Sequence, residues 1–384
     1  MAYGEAVACG SAINEDVNRT GEQVGWVDHF IHKSGPATPN TISLAAKEKD
    51  VSSMTESTSE RILVTGGFGC IGTQVVKWLL LNTDATVIVG TREVTANRIN
   101  RLFGDSDLSR LTCVRLDVRD QDQLEDVLQA NEVSRVAHLA ALQTPDCNAN
   151  RDLGLQINLA GTQNLVEAVK RCRPALRRFV FASSVAVYGP RRSYPGSKVS
   201  MLAEPAPVNV YGAWKLAGEQ ITRFLFQETG IPSLCVRPGV LFGPGRDAGL
   251  TAAPTTAMKH VALRLPYEIP FQSRQDYLYS PDVGAAFGNA LLAPFSTYGV
   301  FTLPSHTVDT RQFVEILHQA VAELQRGDDF RITFGHAEVP FICDLEFELF
   351  LRAFPSTPHT PLLTAIKESL IFFQQQAESG WLRV

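Results

Sequence analysis

A doubly wound α/β fold, a parallel sheet covered by helices on both faces, is predicted by three observations in this chain. The apolar stretch Arg61-Ile62-Leu63-Val64 runs into Thr65-Gly66-Gly67-Phe68-Gly69-Cys70-Ile71-Gly72 and then into an apolar helical segment. Short apolar runs and helical periodicities alternate from Arg61 to Phe242, a pattern that argues for parallel strands joined by helical crossovers. A serine-bearing strand end, Ser183-Ser184, precedes Tyr211-Gly212-Ala213-Trp214-Lys215, whose Tyr and Lys share one helix face.

Residues 1–60 are rich in Gly, Ser, Thr, Asn and Glu with little periodicity, and read as a disordered extension. His29 and His32 within it are too few for a metal site, and no metal is expected. The first strand, 62–64, ends at the glycines. Gly66 and Gly69 permit a tight turn whose N–H groups, with the N-terminus of a helix over 72–81, suit a pyrophosphate; Gly72 lets helix and strand pack closely. Further strands are expected at 86–89, 111–116, 135–139, 178–182 and 233–237, with helices at 121–129, 161–170 and 211–228. Beyond Phe242 the pattern turns irregular and rich in Pro and Thr, with helices at 311–324 and 361–374.

The 384 residues, 45% hydrophobic and 20% charged, can bury a large core. A net charge of −5 offers no basic surface for nucleic acid. Seven cysteines without a Cys-x-x-Cys read as free thiols in a reducing compartment. No apolar run is long enough for a membrane span, and the N-terminus lacks the basic start and apolar core of a signal peptide. The expectation is a cytoplasmic protein with a small-molecule partner, and neither nucleic acid nor membrane.

The glycine turn, Ser183-Ser184-Val185-Ala186-Val187-Tyr188-Gly189 and Tyr211-x-x-x-Lys215, in this order, resemble the extended short-chain dehydrogenase/reductases, also called NAD-dependent epimerase/dehydratases. The resemblance implies a Rossmann domain over 61–242 that binds NAD(P). It further implies a smaller, interleaved substrate-binding region, mainly 243–384, with segments returning to the core. Family members commonly dimerise through two helices, here 161–170 and 211–228, which could equally cover the sheet of a monomer.

Cofactor residues implied by the glycine turn are Gly66, Phe68, Gly69, Cys70, Ile71 and Gly72. By spacing, the acidic residue that would take the ribose hydroxyls of NAD falls on Gly90, in Val87-Ile88-Val89-Gly90-Thr91-Arg92-Glu93. Gly90 leaves room, Thr91 can donate a hydrogen bond, and Arg92 can pair with a phosphate. NADP(H) is therefore favoured over NAD(H); the alternative leaves Arg92 on a surface loop and Glu93 on the ribose. The resemblance adds Asp117 and Val118 at the adenine edge, Leu139, Ala140 and Ala141 at a strand end close to the cofactor, and Asn158 as an organiser of the site. His138 reads as a packed or hydrogen-bonded residue.

A tyrosine titrates near pH ~10 and needs help to act as a base. Lys215 is expected to lower the Tyr211 pKa and resembles the family lysine on the nicotinamide ribose; Tyr211 then exchanges a proton with the substrate while Ser184 orients its oxygen. Ser183 would point to the other side of its strand. Several nucleotide-sugar signatures are altered. Val240 stands where the family has a diphosphate-binding Asn, Gln275 where it has a phosphate-contacting Arg, for which Arg274 one residue away could partly compensate, and the late Arg-x-Gly-Asp motif is absent. Nor does an acidic residue follow Ser184, as a dehydratase would require. The favoured reading is hydride transfer between NADP(H) and an alcohol/ketone of a non-nucleotide small molecule, lined by Ser184, Tyr211 and Arg246, with Thr251, Thr255 and Thr256 nearby. The alternatives are a nucleotide-sugar epimerase or dehydratase with tightly bound NAD, and a non-catalytic NADP-sensing regulator, which would not need Tyr211 and Lys215. The loop 190–198 could hold an acidic substrate or simply be a solvated basic loop.

Overall fold

The computed structural model describes residues 60–172, 176–249, 251–325, 331–339, 342–382 and 384. The expected N-terminal extension, with His29 and His32, lies outside them except for Glu60, whose carboxylate pairs with Arg135 and Arg177 at 2.9 and 3.0 Å.

Strands and helices alternate as β1 (Arg61–Thr65), α1 (Cys70–Asn82), β2 (Thr86–Thr91), α2 (Ala96–Phe103), β3 (Leu111–Arg115), α3 (Gln121–Ala130) and β4 (Arg135–His138). Two short helices, α4 (Thr144–Ala149) and α5 (Arg151–Leu155), lead through a π-helical turn at Gln156–Ala160 into α6 (Gly161–Arg171). Then come β5 (Arg178–Ala182), α7 (Val210–Thr229), β6 (Ser233–Arg237) and β7 (Val240–Phe242). The remainder comprises α8 (Ala253–Ala262), β8 (Tyr267–Ile269), β9 (Arg274–Tyr279), α9 (Ser280–Leu292), β10 (Tyr298–Thr302), β11 (His306–Asp309), α10 (Thr310–Glu323), β12 (Ile332–Phe334), α11 (Glu348–Ala353) and α12 (Leu362–Glu378).

Seven strands form one parallel sheet in the order β10-β6-β5-β4-β1-β2-β3. Helices cover both faces of its inner strands, so β5 and β6 are buried at every residue and their middles are apolar, with Arg178, Ser233 and Arg237 at the ends. The chain builds outward from β1 to β3 and then returns to β4 on the other side of β1. This reversal opens a crevice at the carboxyl ends of β1 and β4, where such sheets bind ligands. The fold is the Rossmann type that the glycine turn and alternation predict.

Sequence periodicity missed several elements. The helix α2 has only eight residues, half of them polar, and α4 and α5 are shorter still, too short to show a repeat. The helix α9 is buried on most of its surface, so its pattern of small and apolar residues shows no clean amphipathic stripe. It packs on α1 where Gly284 meets the Gln74 backbone and Gly288 lies under the Trp78 ring; a Cβ there would stand 2.6 and 2.0 Å from those atoms. Through α9 and β10 the late part of the chain rejoins the first core. A second core forms around Phe242, Tyr277 and Phe313, with Tyr277 and Phe313 stacked at 4.8 Å between the sheet β11-β9-β7 and helices α8, α10 and α12.

Gly288→Ala is expected to lower stability by about 2 kcal/mol, because the methyl cannot enter without moving a large ring. Denaturant unfolding monitored by Trp fluorescence checks this; an unchanged midpoint would mean that α9 can move away from α1 at little cost.

Candidate functional site

The apolar β1 delivers the chain to Gly66, whose backbone is left-handed at φ +68°. A Cβ on Gly66 would lie 2.9 Å from the Ala140 backbone, and one on Gly72 would lie 2.4 Å from the Gly66 carbonyl oxygen. Any side chain at either position closes the turn. Gly69 caps α1 with no side-chain acceptor, so the first N–H groups of α1 stay available to an anion. The Thr65 hydroxyl accepts from the Leu139 and Ala140 N–H groups, both at 3.2 Å, and ties the end of β4 to the end of β1. It also meets His138 Nδ1 at 2.8 Å, while Nε2 meets the Thr162 hydroxyl at 3.1 Å. With both Thr65 lone pairs engaged by N–H groups, its proton goes to Nδ1, and His138 is neutral with its proton on Nε2. Burial holds its pKa down at about 3. His138 is thus a packed, hydrogen-bonded residue.

Two adjoining cavities open from this turn and share Gly66, Gly69, Leu139, Ala141 and Leu142 in their walls. One, of about 390 Å³, is lined by Phe68, Thr91, Arg92, Glu93, Asp117, Val118 and Ala140. Sequence reasoning missed a further wall residue, Arg98. Its guanidinium lies 5.2 Å over the Phe68 ring and its Nε is buried without a partner. Arg98 is the third residue of α2, and the basic residues of that helix, Arg98 and Arg101, would have been the signal. The room at Gly90 is not empty: Leu116 fills it, and a Cβ there would lie 2.5 Å from that side chain. Asp117 is engaged by the Arg119 guanidinium at 2.6 Å, which holds its carboxyl below the usual range. Asn158 lines neither cavity. Its amide grips the Leu142 backbone, accepting from N–H at 2.7 Å and donating to C=O at 2.9 Å, and so fixes the loop after β4.

The second cavity, of about 400 Å³, brings together Ser184, Tyr211, Lys215 and Arg246, with Cys70, Ile71 and Gly72 at its glycine end. Ser184 accepts from the Ala186 N–H at 3.1 Å and hydrogen-bonds Tyr211. Asn209 caps α7 by accepting from the Gly212 N–H at 2.9 Å, which starts the helix one residue before Tyr211. One turn on, Lys215 Nζ donates to the Ala182 carbonyl at 2.6 Å and lies 4.9 and 5.8 Å over the Phe181 and Tyr211 rings. Burial lowers the Lys215 pKa to about 8. The expected net lowering at Tyr211 is not found: burial pushes its phenol up, against the opposing pulls of Ser184 and the Arg246 charge. In this dry pocket the cost of desolvating a phenolate exceeds what nearby charge returns.

The substrate side departs from expectation in three places. Arg274 does not stand in for Gln275. Neighbours on a strand face opposite ways, and Arg274 pairs with Asp344 at 2.9 Å. Gln275 itself is fully buried and outside the cavity walls, its amide without a partner. The basic loop 190–198 is structural, since Arg191 pairs with Asp344 at 3.0 Å and donates to the Tyr194 and Gly196 carbonyls. Arg246 and Thr251 do line the cavity, whereas Thr255 accepts from the Gly243 N–H and Thr256 donates to the Ala252 carbonyl. Apolar walls come from Val185, Val208, Val240, Val339 and Ile342. The last two follow a region without motif, so no sequence signal marked them. Among the described residues no group of three or more His, Cys, Asp or Glu could hold a metal, and no helix is long and apolar enough to cross a membrane.

A family model described as the NAD dependent epimerase/dehydratase family matches residues 62–301. An uncharacterized epimerase/dehydratase of Staphylococcus aureus (strain USA300) is 26% identical over 220 residues, 57% of this chain and 65% of the relative. The chain thus spans 65% of the length of the curated relatives it matches. Among solved structures, the UDP-glucose 4-epimerase of Thermotoga maritima with UDP-glucose covers 83% of this chain and 99% of its own at a TM-score of 0.69 and 20% identity. The UDP-glucuronic acid 4-epimerase of Bacillus cereus, with UDP-glucuronic acid and NAD, covers 82% and 99% at 0.66 and 22%. The Thermus thermophilus UDP-glucose 4-epimerase with NAD covers 82% and 99% at 0.68 and 24%. At these identities the likeness is one of fold.

The buried imidazole has a stability consequence. Unfolded, His138 titrates near 6.5; folded, near 3. Between those values the unfolded chain binds the extra proton, so this contribution to stability is complete above 6.5 and is lost as pH falls toward 3, at about 1.4 kcal/mol per pH unit. His138→Gln is expected to remove that slope from urea unfolding measured at several pH values across the window; an unchanged slope would place the imidazole in water.

Proposed function

The chain belongs to the NAD-dependent epimerase/dehydratase family, and within it we propose an NADP(H)-dependent oxidoreductase acting on an alcohol/ketone pair of a non-nucleotide small molecule. The observation that carries this reading is the pairing of a Ser184–Tyr211–Lys215 centre with a substrate cavity that lacks the family's diphosphate contacts. Val240 is an apolar wall, Gln275 is buried outside the cavity, and Arg274 is bound to Asp344.

The cofactor fits the residues present. The cradle at Gly66 and Gly72 is one that a Cβ would fill, and the N–H groups of α1 suit the pyrophosphate. Arg92 and Arg98, beside Thr91, suit the additional phosphate of NADP. When bound, the nicotinamide supplies the hydride acceptor or donor. Ser184 holds the substrate oxygen toward Tyr211, which takes the hydroxyl proton in oxidation and returns it in reduction. Lys215, anchored on the Ala182 carbonyl, holds its ammonium 5.8 Å from the centre of the Tyr211 ring, a charge that would favour the phenolate as the proton moves. A cytoplasmic location accords with seven unpatterned cysteines.

A second reading, a nucleotide-sugar epimerase retaining NAD, is favoured by the solved structures, which are UDP-sugar epimerases, two of those described holding NAD. Those likenesses support it more directly than they support the first reading, and the substrate-side residues weigh the other way.

Cofactor titration of the purified protein separates the two. The oxidoreductase reading expects NADP(H) to bind at least about tenfold tighter than NAD(H), with Arg92→Ala removing the difference. NAD that survives purification, together with interconversion of UDP-sugars, would put the second reading first. Tyr211→Phe is expected to lower kcat by about 100-fold or more with little change in cofactor affinity. Lys215→Met is expected to be as inactive, yet to melt no lower than the parent at neutral pH because it removes a buried cation; loss of cofactor binding in Tyr211→Phe would argue for a structural role instead.

A further inference from the structure

Among the described residues lining the cavity at Tyr211, Lys215 and Arg246 are the charged ones, and no Asp or Glu joins them. Lys215 is committed to the Ala182 carbonyl. The partners of Arg246 are both neutral: it donates to Gln143 Oε1 at 3.2 Å and to the Thr251 hydroxyl at 3.1 Å, and its Nε is buried with no partner. The adjacent carboxylate, Asp247, is taken by Lys259 at 2.6 Å. Gly249, at φ +108°, keeps the clamp open, since a Cβ there would lie 2.3 Å from Gln143 Oε1 and 2.8 Å from Arg246 Nη2. A guanidinium held in place by neutral groups, with a carboxylate one residue away directed elsewhere, lacks the counter-charge that burial calls for. Its charge reaches Tyr211, where it eases ionisation of the phenol. Val185, Val208, Val339 and Ile342 add an apolar stretch to the wall, beside the polar Gln143, Thr144, Ser184, Asn209 and Thr251.

We propose that the substrate is a small hydroxy acid, or the matching keto acid, whose single carboxylate pairs with Arg246 while an apolar remainder lies on Val185, Val208, Val339 and Ile342. This rests on the oxidoreductase reading and narrows it. In oxidation Tyr211 Oη would act as the phenolate and take the hydroxyl proton as the C=O bond forms, and the nicotinamide, when bound in its oxidised form, would supply the two-electron acceptor for the carbinol hydrogen; reduction would run the same balance backwards. One fork-shaped cation matches one carboxylate, which it can bind through two parallel hydrogen bonds. A diphosphate would bring at least two negative charges to a cavity whose described residues offer, beside the carbonyl-held Lys215, Arg246 alone as a cation.

The test uses the full chain with NADP+ and three sets of probes: 3-hydroxybutyrate and 2-hydroxy-4-methylpentanoate, their methyl esters, and 4-methyl-2-pentanol. NADPH formation is followed, and calorimetric binding is measured to NADP+-loaded Tyr211→Phe protein. The expected result is that acids are preferred over esters by about 30-fold in KM or Kd, that Arg246→Gln abolishes the preference, and that Arg246→Lys restores part of it. Because the esters report on the same pocket, an Arg246 variant that has merely lost its structure loses ester binding too and is recognised as such; the parent protein's acid-over-ester ratio then decides. Esters or the alcohol handled as well as the acids would overturn this proposal and leave the oxidoreductase reading standing. Acid binding indifferent to both Arg246 variants, or absent from the calorimetric experiment, overturns it as well. Interconversion of UDP-glucose with no NADPH from any probe would overturn both readings.

Discussion

The buried ion pair between Arg237 and Glu219 is the interaction on which the rest of the site depends. Arg237 ends β6, Glu219 lies in the middle of α7, and the side chains are 6% and 2% exposed. The guanidinium engages the carboxylate through two bonds of 2.6 Å each. Arg237 also donates to the Tyr188 hydroxyl and the Met201 carbonyl, and Ser183 donates to Glu219. Every strong polar group is thereby satisfied, the condition under which a buried pair is tolerable; removing one partner of such a pair costs about 3–5 kcal/mol. Glu219 sits one turn after Lys215 and two after Tyr211, on the same face of the helix. The pair therefore sets the height and rotation of α7 over the ends of β5 and β6, and with them the position of Tyr211 beside Ser184.

Against that fixed frame, the site keeps its other charges unbalanced. Arg237 has its carboxylate, whereas Lys215 rests on a carbonyl and Arg246 on an amide and a hydroxyl. The desolvation cost appears in the Lys215 pKa of about 8 and in the raised phenol of Tyr211. The two cations, Lys215 and Arg246, are the groups that negative charge brought into the cavity would stabilise. The glycines make the complementary contribution. At Gly66 and Gly72 the missing Cβ leaves space where main-chain groups must come close, and at Gly249 it leaves room for the side chains of Gln143 and Arg246.

Much of this was legible in the chain because the signals are local. A strand that ends in glycines, a helix that begins after them, and a Tyr four residues before a Lys report geometry that nearest neighbours impose. The alternation of the first half gave the order of the strands up to β6, though not the helices α2, α4 and α5 between them. The second half was harder to read: α9 is wrapped by other elements and has no polar face, and β7, β8 and β12 are three-residue strands that exist only because distant partners complete them. Arg274 and Gln275 show the same limit within the site. Their order was visible, but which of them faced the substrate was fixed by the register of β9 against β11 and by Asp344, some 70 residues away in sequence.

The sequence by itself determined the family, the Rossmann sheet, the glycine cradle and the Ser184–Tyr211–Lys215 arrangement, because each depends on backbone geometry and periodicity within one or two elements. Only the tertiary structure decided that Arg98 joins Arg92, that Asn158 holds a loop instead of lining either cavity, that burial raises the Tyr211 phenol, and that Arg246 is left with neutral partners. Each of those depends on what solvent is excluded and which distant groups arrive to replace it, and desolvation is a property of the packed molecule that no local pattern of residues encodes.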